Sequence, residues 1–320
     1  MTASASKPVV ALAGGVGGAK LIDGLAQILG NRLTAVVNTG DDFRHLGFHI
    51  SPDLDTVMYT LAGIANPETG WGVADETWSF MEQLIRLGGP TWFKLGDRDL
   101  ATHAIRTEAL RGGEPLSTIT SQLCRALGID ANIVPMTDDD VRTIVKSGAR
   151  RLAFQDYFVR LRTEVPVTGL SFEGAVTAKP PAALADLMRK GAIEAIVIGP
   201  SNPYLSIDPI LGVPALRAWI EGSEVPVVAV SPIVGGAAIK GPAAKIMREL
   251  GFEPSALTVA QHYQGLISGL VIDEVDAALT SEIESAGIRV RVTPTIMRNA
   301  QDRRRVAQEC LAFAEALTPA

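Results

Sequence analysis

Pro8-Val-Val-Ala-Leu-Ala-Gly-Gly-Val-Gly-Gly-Ala-Lys20 joins an apolar run to four glycines within five positions. The run Val9–Ala13 predicts a buried strand, and the apolar residues between positions 19 and 29 recur at the three- and four-residue steps of a helix. A strand, a glycine turn and a helix in this order aim backbone N–H groups at an anion. We therefore expect a phosphate-bearing ligand here, held by Gly15, Gly17, Gly18 and Lys20.

The glycine turn matches neither standard phosphate-binding fingerprint. The dinucleotide motif G-x-G-x-x-G would start at Gly15, but its third glycine position is Lys20. The P-loop motif needs Gly-Lys-Ser/Thr, and the chain has Ala19-Lys20-Leu21 instead. The stretch thus leaves the identity of the ligand open, and a tight strand–helix turn without a ligand is the alternative.

Composition describes a globular protein without a nucleic-acid partner. The chain has 320 residues, of which 47% are hydrophobic and 20% charged, and its net charge is −6. The two cysteines, Cys124 and Cys310, lie in helical patterns and predict buried thiols rather than a disulfide framework. We find neither a signal peptide nor an apolar stretch long enough for a membrane helix, so we expect a soluble, cytoplasmic protein with no membrane partner.

Buried strands alternate with helical patterns along most of the chain, which predicts an α/β fold with a parallel sheet and helices on both faces. We expect a single domain over residues 1–320, with a mostly helical and short-stranded insertion at about 60–165. The predicted sheet strands after the first are Leu33–Asn38, Ala195–Gly199, Val225–Ser231, Leu270–Ile272 and Ile288–Val292.

Carboxylates follow the second strand and open the next helix. Asn38-Thr-Gly-Asp-Asp42 comes at the carboxyl end of a strand, where ligands of α/β sheets gather. In Ser51-Pro-Asp-Leu-Asp-Thr56, Ser51 and Pro52 suit a helix start, and the helix dipole explains Asp53. Asp55 gains less from the dipole, so we expect it to serve chemistry. The set predicts magnesium, although a ribose-binding acid or an Asx turn would also explain the first pair.

Three later segments carry further polar candidates. Asp97-Arg98-Asp99 indicates either a capping and salt-bridge cluster at a helix start or, with Lys94, a contact to phosphate. His103 is simplest to interpret as solvent-facing, and the run Asp138-Asp-Asp140 as a solvated turn. Ser201 and Asn202 follow a buried strand and can hydrogen-bond a ligand, and Lys240 lies in a second glycine-rich connection.

Six motifs in order resemble one family. They are Gly14-Gly-Val-Gly-Gly-Ala-Lys20, Asn38-Thr-Gly-Asp-Asp42, Ser51-Pro-Asp-Leu-Asp-Thr-Val-Met-Tyr-Thr60, Lys94-Leu-Gly-Asp-Arg-Asp-Leu-Ala-Thr-His103, Gly199-Pro-Ser-Asn-Pro203 and Ser231-Pro-Ile-Val-Gly235. This set, spread over residues 8 to 300, resembles the 2-phospho-L-lactate transferase family of coenzyme F-420 biosynthesis, whose bacterial members use a phosphoenolpyruvyl donor. Each motif alone is weak, and the ordered set is specific.

The resemblance implies a Rossmann-like fold and a magnesium-dependent transferase. The donor would be a guanosine diphosphate ester of lactate or enolpyruvate, and the acceptor 7,8-didemethyl-8-hydroxy-5-deazariboflavin. Its terminal ribityl hydroxyl would attack the distal phosphorus, and GMP would leave. Phosphoryl transfer of this kind depends mainly on positioning and charge neutralisation. We also expect a homodimer.

The resemblance also assigns roles to particular residues. It implies that Asp55 and Lys94 contact the deazaflavin and that Asp42, Asp53 and Asp55 are the metal candidates, with Asp55 and Asp42 as the catalytic pair. No general base is identified. The nucleotide would be held by Gly15, Gly17, Gly18, Lys20, Ser201 and Asn202.

Two other functions are compatible with parts of the pattern. Gluconeogenesis factors that bind nucleotide sugars share the Gly-Gly turn, but Ser51-Pro-Asp-Leu-Asp-Thr56 and Gly96-Asp-Arg-Asp99 favour the transferase. An NAD-dependent dehydrogenase is disfavoured, because the third glycine of the dinucleotide motif is missing and no histidine is well placed for hydride transfer. Preference among GDP, a UDP-sugar and NAD would separate the three.

Overall fold

The computed structural model describes residues 7–318. Within these residues the strands are β1 (Val9–Ala13), β2 (Leu33–Val37), β3 (Phe43–His45), β4 (Phe48–Ile50), β5 (Asn132–Pro135), β6 (Arg142–Ser147), β7 (Arg150–Ala153), β8 (Gly169–Glu173), β9 (Ala195–Ile198), β10 (Val227–Val230), β11 (Ile233–Val234), β12 (Ala237–Ala238), β13 (Gly269–Ile272) and β14 (Arg289–Val292). The α-helices are α1 (Gly15–Leu29), α2 (Pro52–Leu61), α3 (Ser79–Arg86), α4 (Asp97–Arg111), α5 (Leu116–Ala126), α6 (Ala182–Lys190), α7 (Asp208–Leu211), α8 (Pro214–Glu221), α9 (Ala243–Glu249), α10 (Ala256–His262), α11 (Thr280–Ser285) and α12 (Ala300–Leu317).

Seven strands form the central sheet in the order β14-β13-β10-β9-β1-β2-β5, and every pair of neighbours is parallel. The strand β1 pairs with β2 on one side and with β9 on the other. The chain builds outward from β1 to β5 and then crosses back to β9, so the strand order reverses between β1 and β9. Ligands of open α/β sheets bind outside the carboxyl ends of the strands at such a switch point.

Residues of β1 alternate between two hydrophobic cores, one on each face of the sheet. Val10 and Leu12 pack in a core that includes residues of α6 to α11. Val9, Ala11 and Ala13 pack in the other, which includes residues of α1, α2, α5 and α12. Burial on both faces explains why β1 is continuously apolar. The predicted α/β class, with a Rossmann-like parallel sheet covered on both faces, is confirmed.

The boundaries of the insertion differ from the expected region 60–165. The strand β5 lies inside that region but pairs with β2 at the edge of the central sheet. The additions therefore fall in two places. The hairpin β3–β4 and helices α2 to α5 separate β2 from β5, and an antiparallel sheet in the order β7-β6-β8 lies between β5 and β9. A short edge strand with four residues cannot be told from an inserted strand by its pattern alone.

None of the helices within residues 7–318 combines the length and the apolarity that crossing a membrane requires. Cys124 and Cys310 are buried free thiols, as expected.

Candidate active site

The glycine turn between β1 and α1 packs tightly against the end of β9. The backbone N–H of Gly14 donates to Ser201 Oγ at 3.1 Å. A Cβ at Gly17 would collide with the carbonyl oxygen of Pro200, so a glycine is required there by packing alone. Gly15 has a positive φ of 64° and open space in front of its Cα. The turn thus connects the ends of β1 and β9 at the switch point. Gly15 is the position of the turn that borders open space.

Asp53 connects the second carboxylate motif to this turn. Its Oδ1 accepts from the backbone N–H of Gly15 at 2.8 Å, and its Oδ2 accepts from Asn38 Nδ2 at 2.9 Å. The carboxyl therefore lies at the N-terminus of α1, where the dipole favours an anion, rather than serving only its own helix. Burial raises the pKa of Asp53 to about 6, although Asn38 and Gly15 both donate to it.

Several oxygens near the end of β2 are buried without a hydrogen-bond partner in the described part of the chain. They are Asp41 Oδ1, Asp42 Oδ1 and Thr39 Oγ1. Burial, with the nearby charges of Asp53 and Asp42, raises the pKa of Asp41 well above its usual range. Burial also raises the pKa of Asp42. Because buried carboxylates are costly unless paired, this cluster of oxygen atoms fits a hard cation such as magnesium.

Asp42 is held in place by two neighbours. Its Oδ2 accepts from Ser51 Oγ at 2.6 Å and lies 3.1 Å from His49 Nε2. Ser51 occupies the N-cap position of α2, as predicted, but its hydroxyl donates to Asp42 instead of accepting from the helix. The start of α2 thereby fixes the carboxylate that follows β2.

Asp55 forms a buried ion pair with Arg106 of α4. Both guanidinium nitrogens Nη1 and Nη2 of the fully buried Arg106 donate to its carboxylate. The expectation that Asp55 has little structural purpose is therefore wrong. His103 is also buried, 3.6 Å from Asp55 and 3.2 Å from Asp99, so the expectation that it faces solvent is wrong as well.

The expected metal set Asp42, Asp53 and Asp55 does not form one closely spaced group among the described residues. Positions 53 and 55 are about 200° apart around a helix, so their side chains leave on opposite sides. Asp55, Asp99 and His103 do offer three ligand atoms within 4.8 Å. Arg106 already neutralises Asp55 in that group, and magnesium prefers oxygen ligands. Asp41, Asp42 and Asp53 are not such a close group either among residues 7–318, but Asp41 and Asp42 each keep an unpartnered buried oxygen. We therefore predict that magnesium binds these carboxylates together with substrate phosphates.

Three other residues predicted to contact a ligand, Lys20, Asn202 and Lys94, differ in their hydrogen bonds and burial. Lys20 Nζ donates to the carbonyl of Met297 at 2.8 Å. Asn202 Oδ1 caps the turn that follows it, accepting from Tyr204 N and Leu205 N, while its Nδ2 is buried without a partner within residues 7–318. Lys94 is exposed.

A cavity of about 770 Å³ opens beside Asp42, over the ends of β2 and β5. Phe43, His49, Arg44 and Arg142 are among its lining residues. Phe43 also packs edge-on against Phe93, with ring centroids 4.8 Å apart, and Phe93 directly precedes Lys94. The size is typical of a small-molecule site. The cavity and the glycine turn lie on the same edge of the sheet, with the carboxylate cluster beside both.

The roles of Arg106 and His49 were missed from the sequence. A signal for Arg106 exists in hindsight: Asp99, His103 and Arg106 recur at helical spacing, which places them on one side of α4. Their partner across the helix interface cannot be read from that spacing. His49 is a single residue in a short strand, and nothing in its sequence neighbourhood distinguishes it.

Comparisons with known proteins agree on one family. The family model of 2-phospho-L-lactate transferase CofD matches residues 9–310. Phosphoenolpyruvate transferases of Streptomyces avermitilis and Streptomyces coelicolor are each 43% identical over 314 residues, covering 96% of this chain and 98% of the relative. The phosphoenolpyruvate transferase of Mycobacterium tuberculosis is 39% identical over 315 residues, covering 90% of this chain and 93% of the relative.

Solved structures show the same fold at low sequence identity. A crystal structure of a UPF0052 family protein from Bacillus halodurans aligns with a TM-score of 0.63 and 14% identity, covering 97% of this chain and all of that one. A second crystal structure of a Bacillus halodurans protein gives a TM-score of 0.64 at 14% identity, over 96% of this chain and 99% of that one. These likenesses concern the fold alone.

Proposed function

Since the chain belongs to the 2-phospho-L-lactate transferase CofD family and is a phosphoenolpyruvyl or phospholactyl transferase of coenzyme F-420 biosynthesis, we propose which substrates it joins. The acceptor is 7,8-didemethyl-8-hydroxy-5-deazariboflavin, and the donor is a guanosine diphosphate ester of enolpyruvate or lactate. The ribityl hydroxyl oxygen bonds to the distal phosphorus, the bond from that phosphorus to the GMP oxygen breaks, and the hydroxyl proton goes to solvent. GMP leaves.

The observation that carries this proposal is the cluster of buried, unpartnered carboxylate oxygens beside the switch point. The unpartnered oxygens belong to Asp41 and Asp42, and the charge of Asp53 lies near them. They fit a magnesium ion, which usually binds one or two carboxylates together with substrate phosphates. When bound, magnesium would neutralise charge on the transferred group. The chain's own residues orient this cluster: Ser51 and His49 hold Asp42, while Asn38 and Gly15 hold Asp53.

Donor and acceptor would meet from two sides of the carboxylate cluster. The nucleotide would lie at the switch point, where Gly15 presents open space and the amide of Asn202 has a free donor. The ring of the deazaflavin would enter the cavity beside Asp42, where Phe43 offers an apolar face and Arg44 and Arg142 offer donors. Asp42 belongs to both regions, which supports its predicted part in catalysis.

Asp55 and Lys94 keep their predicted contacts with the deazaflavin under this proposal. Lys94 follows Phe93, whose ring packs on the cavity residue Phe43. Asp55 is bonded to Arg106, so any contact with the acceptor would be made by a carboxylate that is already neutralised. Assembly as a homodimer and a cytoplasmic location stay predictions.

Mass spectrometry of the product tests the proposal directly. The purified protein is incubated with magnesium, the deazaflavin and either the enolpyruvyl or the lactyl guanosine diphosphate ester. We expect one transfer product per donor, and the two products differ by two hydrogen atoms. A parallel titration with GDP, a UDP-sugar and NAD should show preference for GDP. Failure of transfer with both donors, or preference for a UDP-sugar or NAD, would contradict the proposal.

A further inference from the structure

Three cationic side chains from three different elements come together beside the glycine turn, and the reaction described above uses only one of them. Lys20 lies in α1, Lys240 lies between β12 and α9, and Arg303 lies in the first turns of α12. Each element begins at or near the carboxyl edge of the sheet, after β1, β10 and β14 respectively. The cluster therefore lies on the edge where substrates bind.

Contacts to the backbone hold the two lysines in place. Lys20 Nζ donates to the carbonyl of Met297 at 2.8 Å, and Lys240 Nζ donates to the carbonyl of Thr69 at 2.9 Å. The loop that contains Thr69 covers the turn itself: a Cβ at Gly70 would lie 2.8 Å from Val16 Cγ1 and 3.2 Å from Lys240 Nζ. Lys240 thus reaches across the start of α1.

Arg303 completes the cluster farther along the same face of α1, because its partner Asp23 lies on the helix face that carries Val16 and Lys20. Its Nη1 donates to Asp23 Oδ2 at 3.1 Å, and its Nε is buried without a partner in the described part of the chain. The backbone of Arg303 packs directly on Gly24, so the start of α12 is fixed against α1. The guanidinium therefore retains a donor that no group within residues 7–318 uses.

The positive charges in this cluster are only partly compensated. Burial, followed by the nearby charges of Arg303 and Lys240, lowers the pKa of Lys20. The direct partners of the two lysines are neutral carbonyls, and only Arg303 bonds to a carboxylate. Repulsion of this kind within a chain of net charge −6 is relieved when an anion binds.

A phosphate bound at the glycine turn would also need positive charge from side chains outside the turn. Asp53 accepts the hydrogen bond of the Gly15 N–H, so a carboxylate already lies at the N-terminus of α1 and interacts with the helix dipole. A phosphate that approaches this terminus would meet the Asp53 carboxylate. Side-chain cations on the far side of the turn would offset that repulsion.

We propose that Lys20, Lys240 and Arg303 form a diphosphate-binding site that holds the phosphates of the nucleotide donor. This site rests on the proposed function for the identity of the donor, but its chemistry, an oligophosphate beside three cations, does not depend on the base. Lys240 and Arg303 would be binding residues, and the loop at Thr69 would position Lys240.

Calorimetric titration of Lys240→Met tests the site. Lys240 is exposed and Met keeps the length of the side chain, so folding should be unaffected. We expect affinity for GDP and for inorganic pyrophosphate to fall about tenfold, as for the loss of one charge-assisted hydrogen bond. Affinity for guanosine should not change. Lys190→Met is the matched control, because Lys190 is an exposed lysine at the end of α6 on a different element, and it should bind GDP like the wild type.

Each outcome separates this site from the donor proposal. Unchanged GDP and pyrophosphate affinity in both Lys240→Met and Lys20→Met would overturn the site. An equal loss for guanosine would overturn it too, because it would place Lys240 at the base. Pyrophosphate binding that depends on Lys240, in a protein that does not prefer guanine, would support the site and contradict the guanosine donor. Absence of binding by the wild type to either phosphate ligand would overturn the site.

Discussion

Asp53 Oδ1 accepts a hydrogen bond from the backbone N–H of Gly15 at 2.8 Å, although 38 residues separate the two in the sequence. The bond joins the start of α2 to the start of α1. The glycine turn and the carboxylate cluster are therefore parts of one structure, and a change at one is transmitted to the other. Asn38 donates to the second oxygen of Asp53 and extends the same network to the end of β2.

The pKa of Asp53 predicts a pH-dependent stability in metal-free buffer. Burial raises the pKa of Asp53 to about 6 in the folded protein, against about 3.9 in an unfolded chain. The native state then binds more protons than the unfolded state between about pH 4 and pH 6. Stability from this group is lost as the pH rises through that window, by at most about 3 kcal/mol. Urea denaturation in EDTA at several pH values measures it.

Asp53→Asn supplies the comparison for this measurement. The amide does not titrate, so the free energy of unfolding of the wild type relative to the variant should fall as the pH rises from 4 to 7. Carboxyls remote from Asp53, such as Asp97, affect both proteins alike and cancel; the pKa of Asp97 is lowered by hydrogen bonds from Thr77 and Phe80. Asp41 does not cancel, because the charge of Asp53 contributes to its raised pKa, and its response is part of the measured difference. A difference between the two proteins that does not vary with pH would contradict the assignment.

Two glycines of the turn should respond differently to alanine. Gly17→Ala places a Cβ against the Pro200 carbonyl oxygen and should destabilise the protein by about 1–3 kcal/mol, as overpacking does. A valine at this position would collide with Pro200 in the same way, so Gly17→Val should also destabilise the fold. Gly15→Ala meets no neighbour and should cost about 1 kcal/mol for its positive φ.

Ligand binding gives the opposite order for the same pair. The Cβ of Gly15→Ala would enter the open space in front of the turn, so GDP affinity should fall although most of the stability is kept. Calorimetry with GDP and thermal denaturation of both variants check this. If Gly15→Ala binds GDP like the wild type, the turn is a structural connection and not a binding site.

Metal dependence is the third prediction. EDTA should abolish transfer and magnesium should restore it, because Asp41 and Asp42 each keep a buried carboxylate oxygen that has no hydrogen-bond partner within residues 7–318. Asp42→Asn should raise the magnesium concentration for half-maximal activity at least about tenfold. Asp140→Asn, in the same cavity but bonded to Arg142 and exposed, is the control and should change it little. Full activity in metal-free buffer would contradict the prediction.

Local pattern was sufficient for the fold and for the location of the site. The apolar run of β1, the glycine turn and the helix after it repeat a geometry that short-range sequence determines, and the carboxyl ends of parallel strands meet on one edge by topology. The predicted boundaries of the insertion were wrong at β5, because a four-residue strand, Asn132–Pro135, does not reveal which sheet it joins. The prediction for the environment of Asp55 was wrong for a related reason. Its partner Arg106 is 51 residues away in the sequence, and only the tertiary structure brings them together.

The pair Asp55 and Arg106 provides the last prediction. Asp55→Asn should lower the free energy of unfolding by about 3 kcal/mol, because removing one partner of a buried ion pair leaves the other charge unpaired. The helix dipole at the position of Asp55 would by itself account for a loss under about 1 kcal/mol, so most of the expected loss comes from Arg106. Arg106→Met should be similarly costly, since it leaves the carboxylate buried 3.6 Å from His103. Urea denaturation of both single variants and of the double variant completes the cycle.

The double variant separates stability from chemistry at Asp55. With both charges gone, its stability should recover well above the sum of the single losses, because no unpaired charge remains. If Asp55 also contacts the acceptor, turnover in the double variant should stay low. The loss of transition-state stabilisation relative to the wild type should be at least about 3 kcal/mol. Recovery of turnover together with stability would restrict Asp55 to holding α4 on α2. A single variant Asp55→Asn that unfolds like the wild type would instead show that the ion pair contributes little to folding.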